Sequence, residues 1–257
     1  MKRWLTLFLC AATLAILLPR ASVAASNTMG IDLQWDNCFT GAGASTSKNS
    51  ACAANTGANI MFCSFMTPGG LDAVIAATGV IDVHTDQAAL PSWWDITPFV
   101  GGTNCRAATA LSANFNFTAG PFDCIDFWAG QASGGVSSNY TQVAPDPARL
   151  RINWVCAVVA GVPPDSTQHY YAASVVVNNS KTTGAGNCPG CNFGACIRLN
   201  EINLALSSGG NMVMTTTSPA LPGAVQEIYW NTNPASPSCT FTPTRAQTWG
   251  QIKSLYR

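Results

Sequence analysis

Between residues 150 and 159 the chain carries the sequence LRINWVCAVV. Apolar side chains recur there at every second position, at Ile152, Trp154, Cys156 and Val158. A spacing of two puts these side chains on one face of an extended strand, because successive side chains of a strand point to opposite faces. Branched and aromatic residues also favour that conformation. The stretch therefore predicts a β-strand with one face buried in a core.

The same alternation recurs on both sides of this stretch, in segments bounded by Gly, Pro, Asn and Ser. These segments are 31–35, 59–66, 80–85, 108–117, 170–178, 197–206, 212–217 and 226–230. Helical periodicity is weak, and we predict only a short helix at 71–77 and a single turn at 91–94. Strands joined by turn-rich loops indicate an all-β fold, either a two-layer antiparallel β-sandwich or a jelly roll stapled by disulfides.

The start of the chain has the pattern of a secretory signal peptide. Lys2 and Arg3 precede an apolar run at 4–18, and small residues follow at 21–25. This pattern predicts cleavage that removes residues 1–25 and leaves 26–257 as a single disulfide-rich β-sandwich domain. No later apolar run approaches the roughly 20 residues that a membrane-spanning helix needs. We therefore expect a secreted protein, periplasmic or extracellular, with no membrane span after cleavage.

The composition excludes one large class of partner. Charged residues make up only 9% of the chain, against about 25% in typical globular proteins. Removal of Lys2, Arg3 and Arg20 with the signal peptide leaves nine basic and twelve acidic residues. Nucleic-acid binding depends on a basic surface that neutralises phosphates. No nucleic-acid partner is expected for a mature chain with this balance.

Cysteine usage supports the export prediction. Ten of the eleven cysteines lie after the signal peptide: Cys38, Cys52, Cys63, Cys105, Cys124, Cys156, Cys188, Cys191, Cys196 and Cys239. An even number in an exported chain predicts up to five disulfides, whose pairing the sequence does not give. We favour Cys38 with Cys52, because a short Gly/Ser/Thr/Asn loop joins them. Closing such a loop typically stabilises a fold by about 2–4 kcal/mol.

The sequence CPGC at 188–191, followed by Cys196, has two alternatives to structural disulfides. A pair spaced in this way also binds metals or exchanges thiols. A zinc site would need a fourth ligand, however, and a redox pair normally opens a helix. Asp and Asn clusters at 35–38 and 178–180 offer oxygen ligands for calcium, but turn chemistry accounts for them. We therefore predict disulfides here, with no metal and no cofactor.

Catalytic patterns are sparse. His84 lies between Asp82 and Asp86 at two-residue spacing, which places all three on one strand face, but no GxSxG sequence supplies a nucleophile. Polysaccharide hydrolysis would need two carboxylates brought together by the fold. The candidates are Asp32, Asp36, Asp82, Asp86, Asp123, Asp126, Glu201 and Glu227. Their spacing favours no pair, and we assign no catalytic residue.

Aromatic residues give the candidate ligand-binding positions. Trp93 and Trp94 are adjacent and follow Pro91 in a turn, and Trp128 precedes a Gly-rich segment. An exposed indole stacks on sugar rings or anchors a protein partner, whereas a buried one closes the end of the sandwich core. Both interpretations remain open for these three residues.

Several stretches together resemble a set of exported bacterial proteins of unknown function. They are GIDLQWDNC at 30–38, Leu90-Pro91 with Trp93-Trp94, Cys105-Arg106, LSANF at 111–115, WAGQ at 128–131 and the segment 178–202. The resemblance spans most of the mature chain but implies no activity and no residue roles. Cys63, Cys124, Cys156 and Cys239 are additional to this pattern and are expected to form extra disulfides.

Two classes of function follow. The shortage of histidine and glutamate, the neutral polar surface and the Trp93-Trp94 turn favour a non-catalytic exported module, in the matrix or at the cell surface, that binds glycan or protein. The alternatives are a secreted polysaccharide hydrolase with paired carboxylates and a structural protein that self-assembles at the surface. Binding assays, a carboxylate cleft and self-association distinguish the three.

Overall fold

In a computed structural model, the chain forms two facing β-sheets. The structure describes residues 29–39, 41–96, 105–117, 124–139, 148–216, 218 and 223–232, so the predicted signal peptide lies outside them. The strands are β1 (Gly30–Trp35), β2 (Ser47–Lys48), β3 (Ala58–Met66), β4 (Val74–Thr85), β5 (Leu111–Asn114), β6 (Ile125–Asp126), β7 (Ser133–Asn139), β8 (Arg149–Val162), β9 (Tyr170–Asn178), β10 (Ala195–Leu206), β11 (Asn211–Thr215) and β12 (Glu227–Trp230). The described residues contain no helix long and apolar enough to span a membrane.

The strands divide into a five-stranded and a seven-stranded sheet. The first has the order β1-β3-β9-β5, with β6 also paired to β9. The second has the order β2-β12-β10-β4-β8-β7, with β11 also paired to β10. All pairs are antiparallel except β6 with β9 and β12 with β2. The predicted all-β, two-layer, disulfide-bonded fold is confirmed.

Each of the nine predicted strands is present, but the ends shift by up to six residues, because β4 begins at Val74 and not at Val80. Two predictions are wrong in detail: 71–77 is not helical, because Val74 begins β4 and pairs with Val162, and 108–117 begins with a 3-10 turn at Ala108–Ala110. The turn at 91–94 is confirmed. Three strands were missed, β2, β6 and β7. Two of them have only two residues, and β7, with the sequence SGGVSSN, lacks the branched and aromatic side chains that favour strands.

The core lies between the sheets. From β8, Ile152, Trp154 and Cys156 point into it and are fully buried or nearly so, as the alternation predicts. Trp154 lies so close to β4 that a Cβ on Gly79 would be 2.1 Å from its indole ring. Only glycine leaves room for this contact, so the indole packs directly against the β4 backbone. Burying each large apolar side chain stabilises such a core by about 1.5–3 kcal/mol.

Two short segments join the sheets along one side. Ser45 accepts a backbone hydrogen bond from Trp35 of β1, and Thr46, next in the chain, accepts one from Tyr229 of β12. In the same way, Val225 accepts from Leu33 of β1, and Gln226 accepts from Leu199 of β10. Each segment thus bonds to one strand of each sheet and links the two. The edge of β1 is therefore covered over this stretch.

The disulfides differ from the predicted pairing. Cys38 pairs with Cys124, Cys52 with Cys191 and Cys105 with Cys188, across separations of 86, 139 and 83 residues. The favoured pair of Cys38 with Cys52 is therefore wrong, because each lies beside a distant part of the chain. Cys196 is also disulfide-bonded, and Cys239 lies outside the described residues. Cys188 and Cys191 join different partners, so the CPGC segment is structural.

Two predicted disulfide cysteines are free. Cys63 of β3 and Cys156 of β8 are both completely buried and carry thiols. Their prediction as disulfide partners was wrong because both occupy core positions of the strand alternation, where a cysteine packs as a small apolar residue. Burial raises the pKa of each thiol to about 12. Since the thiolate is the reactive form, both cysteines are protected from oxidation in the folded protein.

This protection is directly testable. We expect iodoacetamide at pH 8 to leave Cys63 and Cys156 unmodified in the native mature chain, and to alkylate both in guanidinium chloride without reductant. Peptide mapping by mass spectrometry measures the modification at each position. The disulfide-bonded Cys105 and Cys188 serve as the internal control and should stay unmodified in both conditions. Recovery of either core cysteine in a disulfide-linked peptide would contradict the assignment.

Candidate ligand-binding face

The two candidate tryptophans of the turn are buried. Trp93 and Trp94 are both 0% exposed, and their rings lie against Trp230 at centroid distances of 5.3 Å and 5.9 Å. The Trp93 indole N–H donates to Thr182 Oγ1 at 2.9 Å. An exposed stacking platform at this turn is therefore wrong. The alternative holds, because a tight turn beside β12 directs both rings into the core.

Trp128 is buried as well. It is 2% exposed, and its indole N–H donates to the Ala172 carbonyl at 2.8 Å. Asp126 fixes the turn that carries it, since its carboxylate accepts the backbone N–H of Trp128 and of Gly130. Trp128 thus closes the core beside β9. All three candidate indoles are buried, so none of them offers an exposed stacking surface.

A different surface has the features of a site. We call it the outer face, and it consists of the side chains of β4, β7, β8, β10 and β11 that point away from the five-stranded sheet. Strand register sets them in rows across the sheet. The three central rows are Arg198, Asp82 and Arg151; then Glu201, Val80, Asn153 and Ser137; then Val213, Asn203, Thr78, Val155 and Gly135.

One end of the outer face is charged. Asp82 of β4 is fully buried there and accepts hydrogen bonds from Arg149, from Arg151 Nε at 2.8 Å and from Asn200 Nδ2 at 2.6 Å. The hydrogen bonds that the Arg151 guanidinium donates to Asp82 raise the pKa of Arg151. We call these four residues the Asp82 cluster. Its carboxylate is saturated with donors, which suits a structural role and not that of a catalytic acid.

Beyond this cluster and Glu201, the part of the outer face that crosses β4, β8 and β7 is concave. A groove of about 440 Å³ crosses β4, β8 and β7, and its side chains include Thr78, Val80, Ser137, Asn153 and Val155. None of the described residues that line it is charged. Gly135 leaves it open, because a Cβ added there would meet nothing within 4 Å. Val155, at 50% exposure, provides an apolar wall beside amide and hydroxyl groups.

Sequence reasoning missed this groove because no single strand contains it. A signal was present in β7, where Ser133, Gly135 and Ser137 alternate as small polar residues. Glycine within a strand often marks a place where another group approaches closely. The meaning of that pattern depends on β8 and β4 lying alongside, which only the sheet order reveals.

Of the remaining catalytic candidates, Glu201 lies beside the Asp82 cluster and Glu227 contacts Arg198, whereas the two histidines lie apart from each other. His84 lies on the outer face opposite Cys196 and Arg149, whereas His169 is half-buried on another part of the fold, where desolvation lowers its pKa to about 4. Among the described residues, no three His, Cys, Asp or Glu side chains are grouped as metal ligands. Asp123 lies outside the described residues.

Asp32 has an unusual environment for a carboxyl group. It lies in β1 and is fully buried, and its Oδ1 accepts the Val225 N–H at 2.8 Å. Its Oδ2 is buried and has no hydrogen-bond partner. Burial outweighs the Val225 hydrogen bond and raises the pKa of Asp32 to about 7. At neutral pH this carboxyl therefore titrates where β1 meets the segment that joins the sheets.

The buried ion pairs of the Asp82 cluster should contribute to the free energy of unfolding. Asp82→Asn keeps the shape but removes the negative charge that Arg149 and Arg151 share. Breaking a buried ion pair from one side typically costs about 3–5 kcal/mol, and we expect a loss of this order in the free energy of unfolding, measured in urea. Glu227→Gln is the control, because its contact with Arg198 is long, at 3.5 Å, and partly exposed. A control loss as large as that of Asp82→Asn would contradict the assigned role.

The Asp32 carboxyl makes a prediction about pH. Its folded pKa of about 7 lies above the ordinary value of an aspartate, because burial disfavours the charged form. A raised carboxyl pKa stabilises the fold below pH 4, and this contribution is lost as the pH rises to about 7. We expect the melting temperature of Asp32→Asn to change less with pH between pH 4 and 7 than that of the wild type. At pH 8 the melting temperature of the variant should be higher than that of the wild type. Ser64→Ala, opposite Asp32 on β3, keeps the carboxyl and should keep the pH dependence. An unchanged profile in Asp32→Asn would refute this assignment.

Comparison with known proteins identifies no family for this chain. No family model matches it, and no curated protein does. Among solved structures, it is similar to the "Cohesin module from Clostridium perfringens ATCC13124 family 33 glycoside hydrolase", with 8% sequence identity and a TM-score of 0.35. The match covers 80% of this chain and 98% of that one. A likeness this weak carries no argument about function.

Proposed function

We propose that this protein is an exported, non-catalytic binding module that holds a neutral glycan in the groove of its outer face. The observation that carries the proposal is the groove itself: a concave site of about 440 Å³ on a paired sheet, with no charged side chain among the described residues that line it. Ligand sites of roughly 300–1,000 Å³ typically combine apolar walls with a few polar groups.

The side chains of the groove match the two-sided chemistry of a sugar. Val80 and Val155 offer methyl groups to the C–H faces of a pyranose ring, while Thr78, Ser137 and Asn153 offer hydroxyl and amide groups to its hydroxyls. An uncharged ligand suits this lining, because a charged one would lose hydration without gaining a counter-charge. Neutral polysaccharide is therefore the class of ligand that we favour.

The framework beneath the groove supports binding without rearrangement. β8 is paired on both sides, with β4 and β7, and Trp154 fills the core below it at 1% exposure. A preformed surface loses little conformational entropy when it binds, so modest contacts yield useful affinity. The disulfides add to this rigidity and support export, since such bonds persist in oxidising compartments.

The hydrolase alternative has less support. Asp82 is buried in its cluster, Asp126 holds a turn, and Asp36 pairs with Lys48. Each of these carboxylates is engaged by structural donors, whereas a glycosidase needs one acid and one free carboxylate flanking the same bond. Binding is the function that the uncharged groove favours over hydrolysis.

The groove is tested by filling it. Gly135→Tyr places a large ring in open space, and we expect it to raise the dissociation constant for a neutral polysaccharide at least about tenfold, which corresponds to 1.4 kcal/mol. Affinity electrophoresis against a polysaccharide panel, followed by calorimetry, measures this change.

The matched control is Ser133→Tyr, two residues away on the same strand and face but outside the groove. It should bind as the wild type does, and both variants should melt at the wild-type temperature. Equal loss in both variants, or no binding of any neutral polysaccharide by the wild type, would overturn the proposed function.

A further inference from the structure

β7 is an unusual edge strand. It pairs with β8 along all seven residues, from Ser133 to Asn139, without a bulge or break in register. On its other side, none of the described residues pairs with it. An edge strand presents a row of backbone N–H and C=O groups that are ready to pair with another strand.

The other edges of the two sheets are shorter or covered. On the far side of β9, β5 and β6 divide the edge into pieces of four and two residues. Beyond β12 lies β2, which has only two residues, and β11 has five. On β1, backbone bonds from Ser45 and Val225 occupy the edge. Only β7, among the described strands, combines length and regular register with an edge that no described strand pairs, although β5 of the facing sheet lies close to it.

β7 also lacks the devices that keep edges apart. Natural sheets place lysine, proline or a bulge on exposed edges to prevent pairing between chains. The sequence SGGVSSN contains no charged residue and no proline. On the outer face, the small residues Ser133, Gly135 and Ser137 are exposed and leave the backbone accessible. Gly134 is required in β7, because a Cβ at this position would lie 2.0 Å from the Val155 carbonyl oxygen.

We propose that β7 pairs antiparallel with β7 of a second copy of this chain. An identical partner suits this edge, because a two-fold axis sets neutral residues against neutral residues and brings no like charges together. The pairing satisfies backbone groups on both strands, and it joins the two seven-stranded sheets into one continuous sheet.

The arrangement has a consequence for the outer face. A two-fold axis perpendicular to the sheet leaves both outer faces on the same side. The two β8 strands are then three strand spacings apart, about 14 Å, and the two grooves open side by side. If the glycan proposal holds, a single polymer reaches both grooves and gains avidity. The pairing itself does not depend on that proposal.

The test uses the mature chain without ligand. Size-exclusion chromatography with multi-angle light scattering, from micromolar to millimolar protein, should show the mass rising to twice the monomer value. Ser137→Lys sets two lysines near each other across the paired edges, and we expect the dimer dissociation constant to rise at least about tenfold. Ser208→Lys, in the exposed turn after β10, is the matched control and should dimerise as the wild type does.

Each outcome decides the matter. A wild-type chain that stays monomeric over the whole range overturns the inference, and so does a dimer that Ser137→Lys leaves intact. Circular dichroism confirms that both variants fold, since both positions are exposed. Failure of the glycan proposal is distinguishable, because it would appear as a lack of polysaccharide binding at any mass.

Discussion

The contact between Trp93 and Trp230 is the interaction on which the rest of the fold depends. The two rings stack at 5.3 Å and 17°, and the Arg106 guanidinium lies 4.2 Å from the Trp93 ring centre. Trp230 belongs to β12, and Trp35 of β1 lies 5.9 Å from it in the facing sheet. One aromatic group therefore joins the loop at 91–96 to both sheets.

Two disulfides fix the segment that lies beside this aromatic group. Cys188 and Cys191 are bonded to Cys105 and Cys52, and the short segment between them supplies hydrogen-bond acceptors for the aromatic group. The Trp93 backbone N–H donates to Pro189, and the Trp230 indole donates to Cys191 at 2.7 Å. Because covalent bonds fix this segment, the indoles keep their partners and stay in the core. The surface is then left to small polar side chains and exposed valines.

The sequence predicts local structure well and long-range structure poorly, for a physical reason. Period-two alternation identifies β8 and β9 because their buried faces are set within each strand. The pairing of Cys38 with Cys124 follows from β1 and β6 belonging to the same sheet, which no local pattern contains. The environment of Trp93 was equally hidden, since alternation does not apply to residues in a turn. The groove could not be predicted either, because side chains from three separate strands line it, and no local pattern shows that these strands are neighbours.

β10 shows how one residue connects the local pattern to the outer face. Ile197 and Leu199 point into the core, and so do Ile202 and Leu204, although the two pairs are out of phase for a regular strand. The register shift between Leu199 and Glu201 resolves the conflict, because the extra residue, Asn200, leaves the ladder. Its amide then bonds to Asp82. The shift keeps all four apolar residues buried and turns Glu201 and Asn203 outward. The same bulge therefore places apolar side chains in the core and polar side chains on the outer face.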